Sequence, residues 1–283
     1  MPADYRRKPD WLKIKLPNGA KSAHVVGLLN RHCLHTICTS GLCPNRGECW
    51  GNGTATFMIG GNVCTRSCKF CNVATGKPAA LNTKEIDDIV ESINELKLKH
   101  IVITSVDRDD LPDLGASHWA ETIRQIHNQC KGVTMETLIP DFQGKKDLID
   151  IVINERPDII SHNLETVRRL TPDVRCKATY DCSLCVLKHV ADAGIRSKSG
   201  IMLGLGETEN EVLETMDDLL AVNCRIMTIG QYLQPTENHY TVQEYIHPDV
   251  FAQYAVIGKQ KGFRHIESAP LVRSSYHAEK HIL

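Results

Sequence analysis

From about residue 54 the chain alternates short apolar segments with amphipathic ones, and this limits its fold more than any other feature of its 283 residues. "TATFMIGGNV" reads as a strand ending at a glycine pair. "HIVITSV", "GVTMETLIP", "PDIISHN", "IRSKSGIMLGLG" and "RIMTIGQYLQP" read as further buried strands, and "FRHIESAPLV" as a short last one. Helical text separates them. In "NTKEIDDIVESINELKLKH" the residues Ile86, Ile89, Val90, Ile93 and Leu96 share one face. Asn82 with Glu85, and Thr208 with Glu211, stand as N-terminal capping signals. Short apolar strands, each followed by a helix, specify an α/β chain with a parallel sheet. About six such units predict a partial (β/α)6 TIM-type barrel over 54–262, with extensions at 1–53 and 263–283. Periodicity alone leaves an open doubly wound sheet as the alternative. Polar clusters close the strands: "TSVDRDD", "TLIPD", "SHNLE", "GLGE" and "QYLQP". The C-terminal ends of parallel strands are where such folds place an active site. No glycine-rich dinucleotide or phosphate loop opens the first helix.

Charge narrows the function. With 33 basic and 34 acidic residues, the chain offers no electrostatic reason to bind nucleic acid or an anionic membrane. Hydrophobic residues make up 42%, enough for a core, and aromatics only 5%, so that core is mostly aliphatic. The N-terminal "MPADYRRKPDWLKIKLP" lacks the apolar stretch of a signal peptide, and no run of 18 apolar residues is present. A cytoplasmic setting is therefore expected, and there twelve cysteines read as metal ligands or catalytic groups rather than disulfides. Seven of them lie between Cys33 and Cys71. Cys130, Cys176, Cys182, Cys185 and Cys224 read as small hydrophobes. Cys33 and His35, just before Cys38, are not taken as ligands.

Cys64, Cys68 and Cys71 form a Cys-x3-Cys-x2-Cys loop. Thiolates select zinc, copper(I) or iron–sulfur clusters. A CxxC pair reaches one ion, whereas the longer first step wraps something larger. Three cysteines on a 4Fe–4S cube leave one iron open to a small molecule. Upstream, Cys38, Cys43 and Cys49 form a second triplet, again one ligand short.

The Cys64 loop, following a strand and with Phe70 just before its third cysteine, resembles the radical S-adenosylmethionine (SAM) superfamily. Together with the second triplet, the chain is similar to the lipoyl synthase family from about residue 9 to about residue 278. The segments that carry this include "CPNRGECW", "CTRSCKFCNVATG", "VDRDDLPDLGA", "ETLIPDFQG", "HNLETVRRL", "KSGIMLGLGE" and "APLVRSSYHA". Biotin synthases and methylthiotransferases fit less well, for want of the second triplet or because of their extra domains. A zinc-binding scaffold would call for a basic patch.

The resemblance implies a radical SAM sulfurtransferase that inserts two sulfur atoms at C6 and C8 of a protein-bound octanoyl-lysine. It consumes two molecules of SAM per lipoyl group and takes sulfur from an auxiliary 4Fe–4S cluster. Cys64, Cys68 and Cys71 would hold the SAM-binding cluster. Cys38, Cys43 and Cys49 would hold the auxiliary one, with Ser275 as its fourth ligand and Ser274 as runner-up. Cofactor contacts are expected from Phe70, Asn72, Asn163, Glu165, Lys198, Glu207 and Gln234. Asp107, Arg108, Asp110 and Gln231 are placed near the same mouth. Arg273 and Ser275 are expected at the reaction itself. Implied partners are an octanoylated 2-oxoacid dehydrogenase lipoyl domain or glycine-cleavage H protein, a flavodoxin or ferredoxin, and an iron–sulfur carrier.

Overall fold

A computed structural model describes residues 7–13, 25–28, 31–32, 34–45, 48–49 and 56–282. Cys33 lies outside the described residues. The first strand is β1 (Thr56–Ile59), and β2 (Val63–Cys64) and β3 (Ala74–Thr75) pair in a small separate sheet. Then come β4 (His100–Ser105), β5 (Thr134–Leu138), β6 (Ile159–Ser161), β7 (Arg196–Leu203), β8 (Ile226–Gln231) and β9 (His265–Ser268). With β1 they form a seven-stranded sheet, every adjacent pair parallel. Its order follows the chain without reversal. A doubly wound sheet needs a point where strand order turns back. The chain has none in this sheet, so the α/β fold is a partial TIM-type barrel. The seventh strand comes from the segment after residue 262: His265 pairs with Ile226 and lengthens the sheet beyond the six expected units.

Helices include α1 (Ile37–Ser40), α2 (Glu85–Glu95), α3 (Ala116–Gln129), α4 (Lys146–Ile153), α5 (Thr171–Val174), α6 (Tyr180–Asp192), α7 (Glu209–Ala221) and α8 (Pro248–Lys261). In α2 the expected apolar face is buried through Ile86, Ile89, Val90 and Ile93. Thr208 and Glu211 close a reciprocal capping box on α7. Asn82 and Glu85 do not. Asn82 Oδ1 accepts from the Lys84 N–H at 3.0 Å, while the Glu85 carboxylate accepts the N–H groups of Gly60 at 2.9 Å and Gly61 at 3.3 Å. Both glycines have positive φ, which aims those N–H groups at the helix. His118 Nε2 approaches the same carboxylate at 2.8 Å. A tertiary contact thus takes the side chain that local pattern assigned to a cap.

Candidate functional site: two thiol-lined cavities

The Gly60–Gly61 turn leads from β1 into the loop of Cys64, Cys68 and Cys71. Arg66, between the first two cysteines, clamps that loop. Its guanidinium donates to Asp109 through Nε and Nη2, each at 2.8 Å, and to Asp141 at 2.8 Å. Asp107 lies 3.3 Å away. Bonding to Arg66 holds Asp109 well below the usual carboxylate range, whereas burial pushes Asp107 upward. Arg108 braces the loop's approach by donating to the carbonyls of Gly60 and Ala79, both at 3.0 Å, while pairing with Asp110. On the far side His239 Nε2 meets the Cys71 carbonyl at 3.0 Å, and the Tyr240 N–H donates to the Lys69 carbonyl at 2.8 Å.

Cys64 Sγ accepts the backbone N–H of Asp107 at 3.3 Å and of Arg66 at 3.4 Å. Burial pushes the Cys64 thiol up to about 11 and Cys68 up to about 12, and Cys71 moves the same way. Such thiols stay protonated in the protein alone and ionise when a metal supplies the compensating charge. N–H groups aimed at sulfur and a soft donor set of three fit a 4Fe–4S cluster.

These cysteines line a cavity of about 410 Å³ at the C-terminal ends of the barrel strands. Phe70, Asn72, Asn163, Glu165 and Gln234 line it as well, as do Arg273 and Ser274. Asn163 Oδ1 is buried with no protein partner. Beside it Gly200 has no room for a side chain: a Cβ there would lie 2.4 Å from Thr228 Oγ1 and 3.2 Å from Asn163 Oδ1. Glu165 adopts a left-handed backbone with φ of 69°, and burial raises its carboxyl. An orphaned acceptor, a buried carboxylate and a carboxamide suit the amino and hydroxyl groups of SAM.

Two expected cofactor contacts are not among the residues lining this cavity. Glu207 accepts the N–H groups of Gly204 at 2.6 Å and Leu205 at 2.9 Å, so it shapes the "GLGE" turn. Lys198 is fully buried inside the barrel and bonded to Glu136. Asn72 has a second task, since its Nδ2 donates to the Ser40 carbonyl at 2.8 Å and ties the loop to α1.

A second cavity, about 290 Å³, lies against Thr56 and His100 at the N-terminal ends of β1 and β4. It is lined by Cys38, Cys43, Cys49 and Ser275. Burial and the neighbouring Cys38 and Cys43 push Cys49 up to about 12. Three thiols and a hydroxyl are a donor set that fits a second cluster. Arg273 lines both cavities, so the Arg273–Ser275 segment is their shared wall, with Ser274 facing the first and Ser275 the second. Burial lowers the Arg273 pKa, and the nearby Cys43 opposes that shift. Asn45 donates to the Leu271 carbonyl at 2.7 Å, and the Tyr276 hydroxyl to Glu48 at 3.3 Å. The two extensions therefore meet through side chains that sequence reasoning passed over. Arg66 and Asp109 were passed over too, although an arginine inside a cysteine loop and the acidic run "DRDD" were visible signals.

Comparison with known proteins follows the same two levels. The Radical SAM superfamily model matches residues 58–219. Solved structures agree on the fold: Streptococcus suis SuiB bound to S-adenosylmethionine superposes with a TM-score of 0.61 at 11% identity, over 80% of this chain and 55% of that one. Methylornithine synthase PylB gives 0.55 at 11% identity, over 89% and 83%. Fold and thiol loop thus define a radical SAM enzyme, a class that uses a 4Fe–4S cluster and SAM. Lipoyl synthases from Treponema denticola and Bacteroides thetaiotaomicron are each 62% identical to this chain. They cover 98% and 99% of it, with 96% and 99% of their own lengths matched. The chain belongs to the lipoyl synthase family.

Proposed function

We propose that the protein converts an octanoyl group, amide-linked to a carrier-protein lysine, into a lipoyl group by inserting sulfur at C6 and C8. Two molecules of SAM are spent per product, and the auxiliary cluster is the sulfur substrate. The observation that carries this is the pair of cavities, each lined by a thiol triplet one ligand short of four, with Arg273–Ser275 between them. When bound, the Cys64-loop cluster supplies the electron that cleaves SAM to a carbon radical able to take hydrogen from unactivated carbons.

The chain's own residues then have distinct tasks. Cys64, Cys68 and Cys71 hold the first cluster, and Phe70, Asn72, Asn163, Glu165 and Gln234 surround SAM. Cys38, Cys43, Cys49 and Ser275 hold the second. A serine oxygen is a harder ligand for iron than thiolate, which makes that corner the labile one. Apolar side chains of the first cavity, Met58, Val106, Ile201 and Leu233, suit a hydrocarbon chain and exclude water from it. Arg273, on the wall, orients the tail beside the reacting carbons. Of the extensions to the 54–262 unit, 1–53 brings Cys38, Cys43 and Cys49 to the second site, and 263–283, besides supplying β9, brings Ser275. The carrier is a 2-oxoacid dehydrogenase lipoyl domain or a glycine-cleavage H protein. A flavodoxin or ferredoxin donates electrons, and an iron–sulfur carrier restores the spent cluster. No helix among the described residues is long and apolar enough to cross a membrane, and the proposed compartment is the cytoplasm.

Anaerobic reconstitution should load about eight irons per chain. Cys38→Ala should keep SAM cleavage and lose sulfur insertion into an octanoylated peptide. Cys68→Ala should lose both. Full lipoyl product from Cys38→Ala would remove the sulfur-donor role from the second triplet.

A further inference from the structure

Lys198 was expected to touch the cofactor, yet its surroundings give it another task. Its ammonium donates to Glu136 Oε1 at 2.8 Å and Oε2 at 2.7 Å, and to the Ser274 carbonyl at 2.6 Å. Those three contacts match the donors an ammonium has. Ser161 Oγ donates to Glu136 Oε1 at 2.8 Å. Both charged side chains are wholly buried. A buried ion pair is a weak stabiliser, because desolvation offsets much of the attraction. Its third contact is more informative, since it grips the peptide carbonyl that directly precedes Ser275.

The same stretch is held from a second side. A Cβ on Gly230 would sit 2.1 Å from the Val272 carbonyl oxygen and 3.2 Å from Arg273 Nη1. The tail therefore lies flush on bare β8 at Val272 and is anchored at Ser274. Ser274 faces the first cavity and Ser275 the second. Ser274 and Ser275 are the central residues of a turn closed by the Tyr276 N–H, which donates to the Arg273 carbonyl at 2.9 Å, so a tail freed from the grip on Ser274 no longer holds Ser275 against the triplet.

We propose that Lys198 and Glu136 are a positioning pair that sets the register of the tail, so that Ser275 rather than Ser274 faces the cysteine triplet. This rests on the auxiliary-cluster role proposed above for the second cavity.

The test uses the full reconstituted chain and follows iron release to a chelator. The relevant phase is the one missing from Cys38→Ala. In the parent, Ser275→Ala should speed that phase about tenfold, the scale for losing a supporting group at a metal site, and Ser274→Ala should leave it unchanged. The double variant Lys198→Met/Glu136→Gln removes the grip without stranding a charge. It should release iron as fast as parent Ser275→Ala, and adding Ser275→Ala should then change nothing further. A merely structural pair would lower the melting temperature without abolishing the difference between the serines.

Parent-like release from the folded double variant would overturn the positioning role alone. So would an undiminished Ser275→Ala effect in its background. An unchanged rate for Ser275→Ala in the parent would overturn the underlying ligand assignment, and this inference with it. Should the double variant not fold, Gly230→Ala displaces the tail with the ion pair intact. It should likewise erase the difference between the serines, and a preserved difference there would count against register control.

Discussion

Arg66 meets three carboxylates with one guanidinium, and its side chain is only 4% exposed. Arg66→Met would strand buried Asp109 and Asp141 without their cation, a loss of about 3 kcal/mol by analogy with other broken buried pairs. Denaturant unfolding should register that loss, and bound iron should fall toward about four per chain as the Cys64 loop loosens. Arg66→Lys restores the charge but not the two-pronged contact, so it should recover only part of the iron. His162 yields a pH dependence. Its Nδ1–H donates to the Ile139 carbonyl and its Nε2 meets the Ser183 hydroxyl, both at 2.9 Å. Burial, reinforced by Arg175, lowers its pKa from 6.5 to about 4. The unfolded chain therefore takes up this proton first. Stability from the neutral ring is complete above pH 6.5 and drains away as pH falls toward 4, by on the order of 3 kcal/mol. Urea unfolding at descending pH should show the decline, and His162→Gln should flatten it. An equal decline in the variant would assign it to other groups.

At the scale of elements, α7 offers a clean measurement. Thr208→Ala opens its capping box and should cost about 1 kcal/mol in urea unfolding, with iron content unchanged. That box was legible because all its parts lie within four residues. The matching signal at Asn82 and Glu85 misled because Glu85 answers to Gly60 and Gly61, residues outside its own helix. Strand identity was legible from apolar runs and the partial barrel from the family resemblance, but periodicity alone did not separate it from a doubly wound sheet. That distinction depends on spatial strand order, which no local pattern encodes. The grouping of the cysteines into two triplets, each now found lining one cavity, was legible from their spacing alone. Their support was not: Arg66 finds its partners 43 and 75 positions along the chain, and Lys198 finds Glu136 across 62. Lys198 was placed near the cofactor from its position on the strand "SGIMLGLG", and its buried pairing with Glu136 is a contact that position alone does not announce.

For the molecule as a whole, the decisive relation is that the chain's two extensions meet across the barrel. Ending the chain after Ser268 keeps β9 but removes the shared wall. Such a protein should reconstitute with about four irons per chain rather than about eight, read by iron and sulfide assay. Retention of the full complement would mean that the second cavity holds its cluster without the tail. The placement of Arg273–Ser275 also bears on how the protein is made. Domains fold from the N-terminal side during synthesis. The cysteines of the second site leave the ribosome before any barrel strand, and the serine that faces them leaves after every one of them. The site's two halves thus appear on either side of the whole barrel in order of synthesis. On the proposed function, a cluster at this site meets its full set of ligands only once the segment bearing Ser275 has been made.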